Sequence, residues 1–396
     1  MPGCLLHLPL EACTTTFNLE KAVCNHGCFM MAPNSWIPST QILQRPLRLS
    51  NFSTSVVVSI SHPPGNASII VEVHNTDNVS PEDEKIILEQ VARMLRISER
   101  DETDLREFQN LHPEAKEKGF GRSFRSPTIF EDAIKSILLC NCTWKRSLDM
   151  AKALCELQSQ LANCLISMEC EDLNKKSLHK GSKRKRVTEK LTEDKKCAED
   201  CSDSQMLNGK NTTSLGNFPS SRELVSLDEY FLKKHCNLGY RAKRILQLAK
   251  RVESGKLDLQ KFEKESNSVS AQEVYAKLKR VKGFGPFACA NLMMCMGFYE
   301  MVPMDSETRR HLQQVLANII SLPSYMWIYN EVYIDVMVFS LFSLLISSFI
   351  VHVRFDLVED YEKKFGKLSE LPSSSYHIVT STRSDSGEPF LQRRHT

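Results

Sequence analysis

The sequence predicts an α+β protein, mainly α, with an N-terminal antiparallel β-sheet domain over residues 1–125 and an all-helical domain over 126–372. Three observations predict this. Two β-branched runs, Val56–Ile60 and Ser68–Val73, flank the turn residues His62–Asn66, which is a hairpin signal. From Ser126 onward apolar residues recur at helical spacing. Late in the second domain a tight turn, Gly283-Phe284-Gly285 with Pro286 behind it, separates two helical segments.

Residues 1–50, with scattered apolar residues and prolines, read as irregular. After the hairpin, Ser80-Pro81 opens a helix to about Ile97 with acidic residues in its first turn, where the helix dipole favours them. Thr128 with Glu131 forms a capping box for the next helix, and Ile129, Ala133, Ile137 and Cys140 line one face of it. A second helix is expected from about Lys145 to Leu165. Composition then shifts: residues 168–217 are rich in Lys, Glu, Asp, Ser and Asn and read as a disordered insertion. Within it, Lys183-Arg184-Lys185-Arg186 reads as a nuclear import signal in preference to a solvated charge run. Residues 373–396 read as a flexible tail.

Val336–Val353 is long and apolar enough to resemble a membrane span, but its serines and His352 lower its hydropathy and the remainder of the chain reads as soluble. Charged residues make up 25% of the chain and apolar ones 41%, ordinary values for a globular protein. The net charge of +3 means that nucleic-acid binding must come from local patches. The fourteen cysteines are no secretory framework, since the N-terminus lacks the charged and continuous apolar regions of a signal peptide. Cys24 with Cys28, and Cys197 with Cys201, lack zinc-finger spacing. No metal and no cofactor is expected.

The chemistry concentrates in Val281–His311. Glycines at alternate positions allow positive φ and leave no Cβ in the way of a phosphate. The N–H groups at the start of the apolar helix Ala288–Gly297 form an anion site. Asp305 follows, just ahead of a helical segment, Ser306–Val315. An aspartate there is an ordinary N-cap; it can also serve as a negative charge in a site.

Helix, Val281-Lys282-Gly283-Phe284-Gly285-Pro286-Phe287 hairpin, apolar helix and the run from Val302 through Asp305 to Arg310 together resemble the helix-hairpin-helix Gly/Pro-Asp (HhH-GPD) superfamily of base-excision DNA glycosylases. Asn237–Ile245, with its Leu-Gly-Tyr-Arg-Ala core, Ser126–Asn141 and Phe218–Leu224 extend the resemblance to the 8-oxoguanine and 3-methyladenine branch, its plant members in particular.

The resemblance implies a nuclear, monomeric enzyme acting on damaged double-stranded DNA, with no membrane partner. Asp305 would stabilise the oxocarbenium-like sugar and hold the attacking water. Lys282, Gly283, Phe284, Gly285 and Phe287 would form the phosphate-binding hairpin. Asn141 and Tyr240 would insert into the stack vacated by the extruded nucleotide; the alternatives are a helix-end cap and a half-buried core aromatic. Arg146, Arg241 and Lys243 would contact flanking phosphates, or sit on a solvated face. Phe287 occupies the site at which strand-cleaving members carry a lysine, so the expected enzyme is monofunctional, without lyase activity. Some branches hold an iron–sulfur cluster on cysteines after the catalytic Asp; this chain has none after Cys295.

Two features depart from the family. The segment 336–353 lacks the aromatic-rich sequence expected of a helix that walls the base pocket, although Tyr361–Gly366 is family-like, a pattern that fits a local substitution as from an altered splice. This keeps a non-catalytic helix-hairpin-helix DNA-binding protein, and a membrane-anchored protein, as alternatives. Asn291 and Glu307 align near pocket positions but differ from the 8-oxoguanine pattern, which leaves oxidised and alkylated purines both open.

Overall fold

The expected hairpin is present as β4 (Ser55–Ser61) and β5 (Ser68–Val73), paired antiparallel with Val58 opposite Val73 and Ile60 opposite Val71. The computed structural model describes residues 3–175, 216–264, 269–306 and 308. Residues 1–50 are not irregular as expected: they supply β1 (Cys4–Pro9), α1 (Leu19–Cys24), β2 (Ser35–Ile37) and β3 (Ile42–Arg48). The sheet has five strands in the order β1–β5–β4–β3–β2.

The prolines that argue against strands sit where a sheet tolerates them. Pro9 ends β1. Pro46 lies beyond the stretch of β3 that β2 covers, and its carbonyl accepts from Arg45 Nε at 3.1 Å.

One face of the sheet buries Leu43, Leu47, Val58, Ile60, Ile69, Val71 and Val73. Against them pack Ile87, Val91, Met94 and Leu95 of α2 (Pro81–Leu95). Ser80 caps α2 by accepting from the Asp83 N–H at 3.1 Å. The helix stops at Leu95, because Arg96 takes the left-handed conformation at φ +57°. Helices α3 (Glu99–Leu111) and α4 (Pro113–Glu117) lead to the helical domain.

That domain is built on α5 (Ile129–Leu139). The single apolar face read from sequence understates this helix, since Glu131, Asp132, Lys135 and Ser136 are buried as well. Each buried polar group has a partner. Asp132 pairs with Arg93 of α2 at 2.8 Å and accepts from the Ser126 N–H at 2.8 Å. Glu131 pairs with Arg45 of β3 at 3.0 Å and with Lys135 at 2.7 Å. Half of the expected capping box forms: Thr128 accepts from the Glu131 N–H at 3.3 Å, but the Glu131 carboxylate turns to Arg45 and Lys135.

Helix α6 (Trp144–Lys175) runs past the expected end near Leu165. After it come α7 (Ser221–Val225), α8 (Glu229–Cys236), α9 (Arg241–Glu253), α10 (Leu259–Lys264), α11 (Ala271–Lys279) and α12 (Pro286–Met296). Ser220 and Glu223 close a full capping box on α7, and Arg48 of β3 reaches Glu223 at 2.6 Å. Among the described residues no helix is long and apolar enough to cross a membrane, and no cluster of His, Cys, Asp or Glu could hold a metal ion. Lys183–Arg186, Glu307, Val336–Val353 and Tyr361–Gly366 lie outside the described residues.

Burial works against the charge on Glu131, yet Arg45 and Lys135 beside it hold its carboxyl down to about 2. A folded value below the ordinary 4.5 means that the stabilisation is whole above about pH 4.5 and is lost as the pH falls through about 2. Glu131→Gln leaves two buried cations without a counter-charge and should cost about 3–5 kcal/mol at neutral pH. Urea unfolding across pH reads both effects: the variant should be less stable at pH 7 and should lack this part of the acid sensitivity.

Candidate functional site

Helix α12 begins at the hairpin. Gly283 adopts φ +111°, and a Cβ built there would lie 3.0 Å from Arg244 Cβ, so this position requires glycine. Gly285 differs from the expectation of two positive-φ glycines. It is the N-cap of α12, with φ −80° and ψ 178°, and a Cβ there would meet open space. The cap has no side chain to satisfy the helix start, and Pro286 has no N–H to offer. Among the described residues no acceptor meets the N–H groups of Gly285, Phe287 and Ala288. The helix start is open at Gly285 and Phe287, where the absent Cβ leaves space, and closed at Ala288, which is buried. Phe284 is buried and anchors the turn, Lys282 is exposed and Phe287 is half-buried.

The other end of α12 is clamped. Phe298 N–H donates to Met293 O at 2.9 Å and Gly297 N–H to Met294 O at 3.1 Å, with Gly297 at φ +96°. Arg96 Nη2 donates to Met294 O at 2.7 Å and to Cys295 O at 3.1 Å, and Arg125 Nη1 to Cys295 O at 2.8 Å. Asp101 and Glu263 lie against these guanidiniums. Burial opposes the charge on Arg96, but Tyr299 and Asp101 more than offset it and its pKa is raised. Burial and the neighbouring Arg96 and Arg93 push Arg125 down to about 10, which leaves it a cation at neutral pH.

Asp305 is exposed and caps the segment that follows it. Its Oδ1 accepts from Thr308 N–H at 2.7 Å and from Thr308 Oγ1 at 2.8 Å, while the Thr308 hydroxyl also reaches Pro303 O at 3.0 Å. The cap expected from sequence is therefore present, and Oδ2 takes no part in it.

A second cluster forms where α5 ends and α9 begins. Asn141 is exposed at φ +46°, and Tyr240 is 53% exposed with its hydroxyl 3.4 Å from Cys140 O. Arg241 departs from the reading of a surface phosphate contact. It is buried, and its Nη2 donates to Cys140 O and, at 3.2 Å, to Asn141 O. Arg146 is exposed, and its Nη2 lies 3.4 Å from Asn237 O. Lys243 is exposed and lines a shallow groove with Leu227, Leu246 and Lys250 rather than joining the cluster. Asn291 is buried, donating to Ser136 Oγ at 2.9 Å; it ties α12 to α5 and does not stand free in a pocket.

Arg244 joins the two clusters, and sequence reasoning alone does not single it out. It stands one helical turn after Tyr240 on the same face of α9, and its stem packs against Gly283. The one sequence signal is the hairpin glycine, which needs a close neighbour to make its missing Cβ matter.

Solved structures share this architecture. The 3-methyladenine DNA-glycosylase from Archaeoglobus fulgidus superposes with a TM-score of 0.50 at 14% identity, over 89% of this chain and 98% of its own. The Clostridium acetobutylicum 8-oxoguanine glycosylase/lyase, in complex with double-stranded DNA containing cytosine opposite 8-oxoguanine, also gives 0.50 at 14% identity, over 87% of this chain and 93% of its own. The fold is that of the helix-hairpin-helix DNA glycosylases. No family model matches the chain, and no curated protein matches it.

The two hairpin glycines should separate on mutation. Gly283→Ala forces a side chain into positive φ and against Arg244, a strain of about 1–3 kcal/mol. Gly285→Ala should cost less than about 1 kcal/mol, the scale of a weakened N-cap, yet it places a methyl group where a phosphate would approach. Thermal midpoints should fall mainly for Gly283→Ala, while duplex affinity should fall for both.

Proposed function

We propose that the chain is a monofunctional DNA glycosylase, which extrudes a damaged base from duplex DNA and hydrolyses its N-glycosidic bond in base excision repair. The observation that carries this reading is the exposed Asp305 carboxylate beyond a hairpin helix whose Gly285 and Phe287 N–H groups meet no acceptor among the described residues. A base inside a duplex is out of reach, so the nucleotide must leave the stack. The N–H groups of Gly285 and Phe287 fix a backbone phosphate, with the exposed Lys282 earlier in the same turn, and phosphate contacts set register without reading sequence. Asn141 and Tyr240 fill the vacated space, and Arg146 and Lys243 lie against flanking phosphates.

Cleavage sends the bonding electron pair out with the base and leaves cationic character on the deoxyribose. Asp305 Oδ2 places negative charge beside that cation and takes the proton of the water that attacks the anomeric carbon. Oδ1 stays on Thr308, which fixes the direction of the carboxylate. Phe287 has no amine with which to attack the sugar, so the product is an intact strand with an abasic site. The substrate is a damaged purine, oxidised or alkylated. The chain works as a monomer in the nucleus, imported through Lys183–Arg186, and apart from membranes.

Asp305→Asn keeps the cap, because Asn caps about as well as Asp, and removes the charge opposite the cation. Duplex binding should persist while single-turnover base release falls about a hundredfold or more, the scale for losing a preorganised electrostatic group. With the wild type, strands should break only after alkali, and borohydride should trap no covalent adduct. Unchanged release in the variant would remove Asp305 from the chemistry, and a trapped adduct would refute the monofunctional assignment.

A further inference from the structure

The loop that leads from α12 to Asp305 is held from two sides. Phe298 and Met301 pack into the core of the helical domain, whereas Tyr299 lies against Arg96, which stands between α2 and α3. We propose that Tyr299 is a positioning residue for Asp305, fixing through its contact with Arg96 the loop that carries the carboxylate. The inference rests on the glycosylase reading above.

Arg96 is a fixed partner. It is 2% exposed, its Nε donates to Ser123 O at 3.0 Å and its Nη1 pairs with Asp101 at 3.3 Å. Its carbonyl accepts from Arg122 Nη1 at 2.6 Å. The guanidinium carbon stands 5.7 Å from the centre of the Tyr299 ring, within the range at which a cation is drawn to an aromatic face. Burial pushes the Tyr299 hydroxyl above the ordinary phenol range in spite of Arg96, so the ring meets the cation as a neutral face. The same guanidinium donates to Met294 O and Cys295 O, and a Cβ built on Gly297 would lie 3.7 Å from its Nη1. One side chain therefore reaches the last turn of α12, the glycine that ends it and the loop beyond. The far end of the loop closes on itself: Thr308 Oγ1 donates to Pro303 O at 3.0 Å, and Thr308 N–H to Asp305 Oδ1 at 2.7 Å. A displacement of about 1 Å at a reacting group can cost on the order of a hundredfold in rate. The hairpin lies at the opposite end of α12, so loss of the Tyr299 contact should appear in the chemical step and not in duplex affinity.

The test uses the full chain under single-turnover conditions on duplexes carrying 8-oxoguanine or 7-methylguanine, with release followed on the one that reacts. Tyr299→Leu stays apolar but removes the ring; it should lower the release rate about tenfold or more, with duplex affinity within about twofold of the wild type. Tyr299→Phe keeps the face that meets Arg96 and should restore the rate. Arg96→Lys keeps the charge and loses the planar fork, and combined with Tyr299→Leu it should be no slower than the slower single variant. In an Asp305→Asn background, Tyr299→Leu should cause no further loss, because its effect passes through that carboxylate.

The proposal is overturned if affinity falls in step with the rate, if Tyr299→Phe is as slow as Tyr299→Leu, or if the loss persists undiminished in the Asp305→Asn background. Should Tyr299→Leu fail to fold, Arg96→Lys taken through the same rate, affinity and background measurements supports or overturns the proposal. A wild type that releases neither base counts against the glycosylase reading alone. Hydrogen exchange at the Thr308 amide, which Asp305 caps, then decides the inference: faster exchange in Tyr299→Leu supports it, and unchanged exchange overturns it.

Discussion

The arginine clamp on the C-terminal end of α12 is the contact on which the site depends. A helix end buried in protein exposes carbonyls that must find donors, and here Arg96 and Arg125 supply them at Met294 and Cys295. Both arginines come from the chain that follows the sheet-packed helix α2, so the helix that begins at the hairpin is fixed from the N-terminal half of the molecule. Its start has no side-chain cap, and the contrast is physical: one end is closed by two guanidiniums and a glycine turn, while at the other the Gly285 and Phe287 N–H groups meet no acceptor among the described residues. An anion arriving at that start meets donors that are already oriented.

The same logic runs through α5. A helix with Glu131, Asp132 and Lys135 all buried would be costly alone, and it is stable because Arg45 of the sheet and Arg93 of α2 reach it. Glu263 then joins Arg93 to Arg125, so one connected set of charges spans α2, α5, α10 and the end of α12. Breaking a member of such a set leaves a buried charge unpaired. The domains are therefore joined by charge, and each keeps its own apolar core.

What can be read from the sequence follows from what is local. The Val56–Val73 hairpin, the Ser80 cap and the Gly283–Pro286 turn are written in neighbouring residues and are present, while the Thr128–Glu131 box forms only by half because Arg45 and Lys135 draw the Glu131 carboxylate away. The early strands are hidden because β1 and β3 are stabilised by partners that come later in the chain, and because Pro46 argues against a strand unless one knows where β2 stops. The same distance hides the clamp: nothing near Arg96 or Arg125 marks them as buried. Arg241 misleads for a related reason, since a basic residue after Tyr240 looks alike whether it faces solvent or the end of α5. Asp305 is legible as a cap, which its Oδ1 supplies to Thr308, and that cap leaves Oδ2 for the role proposed for it.

The most direct test is a crystal structure of the chain on a duplex whose damaged nucleotide has a non-hydrolysable glycosidic bond. The account predicts that nucleotide out of the stack, its anomeric carbon facing Asp305 Oδ2, and a backbone phosphate within hydrogen-bond distance of the Gly285 and Phe287 N–H groups. A damaged nucleotide still stacked in the duplex, or extruded with its sugar turned away from Asp305, would contradict it.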